Sequence, residues 1–231
     1  MVQSIFMPEH SPLSLLAFMG SGLALFLLSL VLLFALGTRR MVLAKRLVAA
    51  ALTGGTAYLA ALLFFSFTSR EENLRKGDRK YFCEIDCHLA YSVERVERAK
   101  SLGKPPHEAD AAGVFTVVTL KTWFDESTIS SHRPREAPLY PNPRQVYVED
   151  ASGRRFQLST AGQRALEGTG RRSTQLSRPL IPGESYVTEL VFDLPPGARG
   201  PRLYVGDADP VASVLIGHEE SPLHRKIWFR I

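Results

Sequence analysis

The chain contains two long uncharged runs, Ser11–Leu36 and Leu47–Ser69, on either side of a basic stretch, Gly37–Arg46. Each run is longer than the roughly 20 apolar residues that cross ~30 Å of hydrocarbon. A helix of a water-soluble core does not need such a length without a single charge. The sequence therefore predicts a membrane hairpin in a lipid bilayer, with spans at residues 13–36 and 47–69.

The net charge of +5 is concentrated beside these spans. The basic stretch holds four cations and no acidic residue: Arg39, Arg40, Lys45 and Arg46. Little excess positive charge is left for residues 70–231, whereas a nucleic-acid-binding domain normally carries a basic face of its own. We therefore expect no nucleic-acid partner.

The basic stretch also bears on orientation. Cations in a short loop favour the cytoplasmic side, which would place the N-terminus and the C-terminal domain outside the cell membrane. Four cations after the second span oppose this placement: Arg75, Lys76, Arg79 and Lys80. The second span carries small residues spaced along one face, namely Ala50, Gly54, Ala57 and Ala61. They either pack against the first span or admit a membrane-protein partner or a second copy of the chain.

The remaining residues divide into a charged juxtamembrane linker of helical composition, residues 70–80, and one domain, residues 81–231. Runs of β-branched and aromatic residues bounded by Gly and Pro are typical of strands. They occur at 113–124, 145–150, 154–158, 186–194, 202–206, 211–216 and 226–231. A capping box at Thr160–Gln163 predicts one short helix at residues 161–167. About seven short strands predict an all-β antiparallel sandwich.

Three segments of this domain resemble a bacterial family of membrane-anchored, extracytoplasmic immunoglobulin-like domains of unknown function. They are Val148–Phe156, Leu180–Ser185 with its Pro-Gly-Glu turn, and Leu190–Pro195 with its Val-Phe-Asp-Leu-Pro strand. The resemblance covers roughly residues 113–206. It implies an immunoglobulin-like sandwich outside the inner membrane, that is, a periplasmic domain, and it supplies no catalytic residue.

Reactive residue types cluster in Phe82–Tyr91, which contains Cys83, Cys87 and His88. An oxidising, extracytoplasmic setting favours a disulfide between the two cysteines. In a regular strand their Cα atoms would lie ~13 Å apart, beyond the about 7 Å that a disulfide tolerates, so the bond requires a turn or a helical stretch. Plain thiols in a packed strand remain an alternative.

A copper or zinc site is the other alternative, because thiolates and imidazoles are ligands for these metals. A binuclear copper site of the oxidase type has a histidine four residues after its second cysteine, and Tyr91 stands there instead. His218 or His224 could complete a site with the cysteines and His88. They do not form the zinc-protease motif, because they are six residues apart and Pro222 interrupts any helix between them. A surface turn is the simpler interpretation of 218–224.

Residues 125–144 form a long proline- and arginine-rich connection, and connections of such length are often functional. Its cations and the neighbouring aromatic residues predict a partner-binding surface: Trp123, Arg133, Arg135, Tyr140 and Arg144. The alternative is an ordered connection packed on the sandwich.

The sequence lacks the glycine-rich loops and nucleophile motifs of the common enzyme classes. We therefore expect no enzyme and no cofactor. The leading hypothesis is an interaction or assembly module, such as an accessory subunit of an envelope complex. The alternative is a metal-binding or redox accessory protein that uses Cys83, Cys87 and His88.

Overall fold

The computed structural model describes most of the chain: residues 5–6, 11–82, 88–129, 132–171 and 173–231. The chain forms two compact units. The helical unit comprises residues 10–70 and 210–225. The β unit comprises residues 1–9, 71–209 and 226–231.

The helical unit contains α1, Ser11–Gly37, and α2, Met41–Thr68. At 1.5 Å per residue, each helix is about 40 Å long and exceeds the ~30 Å hydrocarbon layer. Both are long and apolar enough to cross a membrane. Most of their large apolar side chains are exposed, so these helices are not the core of a soluble bundle.

The basic stretch between the helices is shorter than predicted. Only residues 38–40 form the turn, and Lys45 and Arg46 lie within α2. Arg39 adopts a φ of 56°, and the Arg40 N–H donates to Ala35 O at 2.8 Å. Because Met41–Arg46 contains no Gly or Pro and is rich in helix formers, the helix begins as soon as the turn is complete.

The β unit consists of two five-stranded sheets. Sheet A has the order β1-β3-β4-β5-β8, with strands Ile5–Phe6, Arg79–Phe82, Leu89–Leu102, Ala109–Phe124 and Ser185–Leu194. Sheet B has the order β2-β10-β9-β6-β7, with strands Glu72–Leu74, Ile227–Arg230, Arg202–Asp207, Arg144–Glu149 and Arg155–Phe156. The predicted hairpin is the antiparallel pair β6–β7.

Three features of the sheets differ from the prediction. The first is β4, Leu89–Leu102, which lies outside every run predicted as a strand. The sheets are not wholly antiparallel, because β2 pairs with β10 and β1 with β3 in parallel. The predicted linker 70–80 also contributes β2 and the start of β3. Gly77, with a φ of 86°, and the Asp78 side chain, which accepts from Arg75 N at 2.7 Å, form the turn between these strands. Local turn chemistry therefore outweighs the helical composition of this stretch.

The main hydrophobic core lies between the two sheets. Sheet A contributes alternate residues such as Val118, Leu120 and Phe192, and sheet B contributes residues such as Leu203 and Phe229. All five side chains are fully buried. Alternation along the strands directs these residues inward, so the sheets share one core.

The opposite face of sheet A is covered by α3, Thr160–Glu167. Its N-cap is Ser159, one residue before the predicted capping box, and the Ser159 side chain accepts from Gly162 N. A Cβ at Gly162 would lie 2.6 Å from Val191 Cγ1. Because the helix approaches the sheet so closely, both faces of β8 are buried in its second half.

The strand predicted at 211–216 is wrong. Pro210–Val214 forms a 3₁₀ helix that belongs to the helical unit. Pro210 has no N–H to offer a strand ladder, and the apolar residues after it pack within the helical unit. The hydrophobic composition of these residues did not distinguish a strand from a 3₁₀ helix.

Asp150 organises the β6–β7 turn. Its Oδ1 accepts from Ser152 N, Ser152 Oγ and Arg154 N at 2.9, 2.6 and 3.1 Å, and its Oδ2 accepts from the Arg154 guanidinium. The hydrogen bond from the Ser152 hydroxyl, and then those from Arg154, lower the pKa of Asp150 to about 2 although burial opposes this. The Asp-x-Ser-Gly-Arg pattern thus specifies the turn.

Gly113 provides a test of the packing between β5 and β8. A Cβ at Gly113 would lie 2.0 Å from Leu194 O. We expect Gly113→Ala to lower the free energy of unfolding by about 2 kcal/mol, the cost of overpacking a rigid site. Urea unfolding of the full chain in detergent, followed by tryptophan fluorescence, measures this, since Trp123 and Trp228 both lie in the β unit. Gly197→Ala is the control, because a Cβ there meets nothing within 4 Å; equal stability of the two variants would contradict the prediction.

Candidate functional site

The proline-rich connection between β5 and β6 is held in place where it begins. Asp125 caps a short 3₁₀ helix, Glu126–Thr128, by accepting from Ser127 N and Oγ. Tyr81 donates its hydroxyl to Asp125 Oδ2 at 2.6 Å. Burial alone would raise the pKa of Asp125, but the hydrogen bonds from Tyr81 and Ser127 lower it. The carboxylate is therefore ionised and serves as an acceptor.

The middle of the connection is also anchored. Leu139 and Leu180 exchange two backbone hydrogen bonds, at 2.8 and 3.0 Å. Ile129 and Leu139 pack against the main core. These contacts favour the alternative weighed from the sequence, an ordered connection packed on the sheets.

Two of the predicted partner-binding residues are exposed on this ordered connection. The side chain of Arg135 is 75% exposed and lies 3.8 Å from Glu126 Oε2. Tyr140 is 68% exposed. We call Arg135 and Tyr140 the loop surface; a fixed backbone presents both side chains to solvent, as a preorganised binding surface requires.

Trp123 and Arg133 are engaged in stacking contacts. The guanidinium of Arg79 lies 4.1 Å from the centre of the Trp123 ring. That of Arg133 lies 5.3 Å from the Phe124 ring. Both Trp123 and Arg133 are half-buried, so they support the connection more than they extend from it.

Arg144 is not a surface residue, and its prediction as a partner contact is wrong. Its side chain is fully buried and forms an ion pair with Asp207. Its guanidinium stacks 4.1 Å from the Phe82 ring and donates to Tyr91 Oη at 3.3 Å. Arg144 alternates with the core residues Val146 and Val148 along β6, and this period could have placed it on the inner face.

Lys80 is a second buried cation, and its burial was not predicted from the sequence. Lys80 is 1% exposed and donates its Nζ to Val205 O at 2.7 Å. Its ammonium lies 5.1 Å from the Phe82 ring, which the Arg144 guanidinium also approaches. Lys80 thus bridges sheet A to the backbone of sheet B. Its position two residues before Phe82 places it on the same face of β3, and this spacing could have indicated that Lys80 faces the core.

Cys83 and Cys87 lie outside the described residues, between Phe82 and His88. Phe82 is paired with Leu89 across the antiparallel strands β3 and β4. The predicted disulfide and the predicted copper or zinc site at these cysteines therefore stay predictions.

The three candidate histidine ligands belong to two different units. His88 is buried and stacks on Phe124, with ring centres 5.6 Å apart. His218 and His224 belong to the helical unit, where His218 Nδ1 accepts from Glu220 N and His224 Nδ1 contacts Arg225 O. Within the described part of the chain, no group of three or more His, Cys, Asp or Glu residues could hold a metal ion.

No family model matches the chain, and no curated protein matches it. A conserved hypothetical protein from Bacillus anthracis is 18% identical, with a TM-score of 0.40, and the match covers 54% of this chain and 89% of that one. The secreted protein MPT63 from Mycobacterium tuberculosis is 10% identical, with a TM-score of 0.42, over 71% of this chain and 100% of MPT63. Similarities of this size support no inference about function.

Replacing Arg144 tests whether it is structural. Arg144→Ala removes a buried cation from Asp207, and breaking a buried pair costs about 3 kcal/mol or more. We expect a corresponding fall in the free energy of unfolding, measured from the urea midpoint of tryptophan fluorescence. Arg135→Ala, on the loop surface, is the control and should change it by less than about 0.5 kcal/mol. Similar shifts for both variants would show that Arg144 is not specially stabilising.

Proposed function

We propose that this chain is a membrane-anchored, extracytoplasmic interaction or assembly module, a non-enzymatic accessory subunit of a complex at the bacterial inner membrane. The observation that carries the proposal is the exposed apolar surface of α1 and α2. Leu23 and Phe26 of α1 are each 60% exposed, and Leu52 of α2 is 67% exposed. Such a surface is stable in lipid or against other apolar helices, and unstable in water.

The immunoglobulin-like character of the β unit is part of the proposal. In an immunoglobulin sandwich, strands G, F, C and C′ are neighbours in one sheet, and B pairs with E in the other. The order β10-β9-β6-β7 in sheet B and the pairing of β5 with β8 in sheet A correspond to this arrangement. The resemblance of the Pro-Gly-Glu turn and the following strand supports the same assignment.

The outward orientation is supported by the location of the four opposing cations, which all belong to the β unit. Arg79 stacks on Trp123, and Lys80 is buried in the β unit. Long loops and domains are translocated largely regardless of their charge, whereas cations in short loops are retained in the cytoplasm. The turn between α1 and α2 therefore weighs more than the charges that follow Thr68.

The small-residue face of α2 supports a partner within the membrane. Ala50, Gly54 and Ala57 are exposed, while the buried residues of α2 are Ala44, Leu62 and Ser66. These three small residues are therefore not buried against α1. They let the backbone of another helix approach closely, whether it comes from a different membrane protein or from a second copy.

A fusion experiment tests the orientation. Alkaline phosphatase, which is active only outside the cytoplasm, is fused after Ile231 of the full chain. We expect phosphatase activity, because the turn at 38–40 and the cations of early α2 keep the opposite end of the hairpin inside. Green fluorescent protein at the same site is the control and should be dark after export through the general secretory route. A fluorescent, phosphatase-negative pair would overturn the orientation.

Replacing Gly54 tests the membrane partner. Gly54→Leu adds a bulky side chain to the small-residue face, and we expect the complex isolated in mild detergent to lose mass on a native gel. Gly55→Leu is the matched control, because Gly55 is also exposed and lies about 100° around the helix. A Cβ meets nothing within 4 Å at either glycine, so neither variant should disturb the fold. If both variants kept the complex, or both lost it, this face would not be the partner surface.

A further inference from the structure

The connection between β9 and β10 packs on the two apolar helices. Pro210–Arg225 belongs to the helical unit. The Tyr58 hydroxyl of α2 donates to Val214 O at 2.7 Å, and the Ser14 hydroxyl of α1 donates to Ile216 O at 2.6 Å. The segment is therefore fixed to both helices, near the start of α1 at Ser14 and in the second half of α2 at Tyr58.

Further contacts follow α2 toward its end. A Cβ at Gly217 would lie 4.0 Å from Phe65 Cβ. The Arg225 N–H donates to Ser69 Oγ at 2.9 Å. Tyr58 and Ser69 are separated by about 16 Å along a helix, so the segment follows the last three turns of α2. Its first half lies deepest along the hairpin, and Arg225 lies at the helix end.

The backbone of the segment has hydrogen-bond partners that do not require water. Ser213 Oγ donates to Pro210 O at 2.6 Å, and Ser221 Oγ donates to Leu215 O at 2.5 Å. The carbonyls of Val214 and Ile216 accept from the helix hydroxyls described above. Irregular backbone at membrane depth is tolerated only when its polar groups are satisfied by protein. The segment meets that condition at these carbonyls.

The side chains of the segment divide along its length. Residues 210–217 contain no charged residue; Asp209 precedes them, and within the segment the charged residues begin after His218. Val211 and Val214 are 43% and 41% exposed although both are apolar. The deeper half is thus apolar and half-exposed, and the half near the end of α2 is charged. This polarity matches the change from acyl chains to headgroups.

We propose that Pro210–Gly217 is an interfacial membrane element, whose valines enter the boundary between headgroups and acyl chains beside the hairpin. The proposal rests on the membrane anchoring proposed above. Interfacial segments commonly insert an apolar face ~5–10 Å into this boundary. The occupant is lipid because the half-exposed valines belong to the same unit as the exposed apolar side chains of α1 and α2.

Photocrosslinking of the full chain in lipid nanodiscs tests the proposal. p-Benzoylphenylalanine is placed at Val211 or Val214, where exposed side chains leave room for it. After irradiation, intact-mass spectrometry should show an adduct of one lipid mass. Leu27, in the middle of α1, is the positive control for anchoring. Tyr140, on the loop surface of the β unit, is the matched control in the other unit and should yield no lipid adduct.

The outcomes separate this inference from the proposed function. An adduct at Leu27 without one at Val211 or Val214 overturns the interfacial element and leaves the anchor standing. No adduct at Leu27 overturns both. Adducts to protein in place of lipid at Val214 indicate a second copy or another partner and also overturn the inference, as does a lipid adduct of equal yield at Tyr140.

A second measurement needs no substitution. In the valine-methyl spectrum of the unmodified chain, lipid with a nitroxide on its acyl chain should broaden the signals of Val211 and Val214. The signal of Val118, in the core of the β unit, is the control and should stay sharp. Unchanged Val211 and Val214 signals would overturn the inference even if the crosslinker had disturbed the segment.

Discussion

Burial of apolar side chains between sheet A and sheet B is the interaction on which the β unit depends. The shared core takes residues from strands far apart in the sequence, from Leu74 in β2 to Phe229 in β10. Cations within this core must be matched by acceptors or aromatic rings, because an unpaired buried charge is costly. Arg144 with Asp207, and Lys80 with Val205 O, meet this requirement. The Lys80 hydrogen bond links sheet A to sheet B, and the Arg144–Asp207 ion pair links the adjacent strands β6 and β9.

The sequence predicted the parts of this fold that local pattern determines. Runs of β-branched and aromatic residues predicted β5 and β8, the turn after Asp150 predicted the β6–β7 hairpin, and hydropathy predicted both helices. The sequence prediction failed where contacts between residues distant in the sequence determine the structure. Residues 211–216 have strand-like composition but pack within the helical unit, and the charged stretch 70–80 joins the sheets. Parallel pairing of β2 with β10 depends on a partner over a hundred residues away, which no local pattern reveals.

The candidate site was predictable to a similar extent. Exposure at Arg135 and Tyr140 agrees with residue type, since an arginine and a tyrosine in a Pro-rich connection tend to face solvent. Arg144 was assigned to the surface from its charge, although its alternation with Val146 and Val148 indicated the interior. Where the period of a strand and the polarity of a residue disagree, the period deserves the greater weight when an acceptor such as Asp207 can be found opposite.

The route of the chain through the two units has a mechanical consequence. The helical unit is covalently continuous with β1 before α1, with β2 after α2, with β9 before Pro210, and with β10 after Arg225. Of these strands, β2, β10 and β9 are neighbours in sheet B, and β1 is at the edge of sheet A. Tension on the helical unit would therefore load three adjacent strands of sheet B and the edge of sheet A together, whereas a single connection would load one strand. A fragment lacking the hairpin would leave Pro210–Gly217 without the helices it packs on.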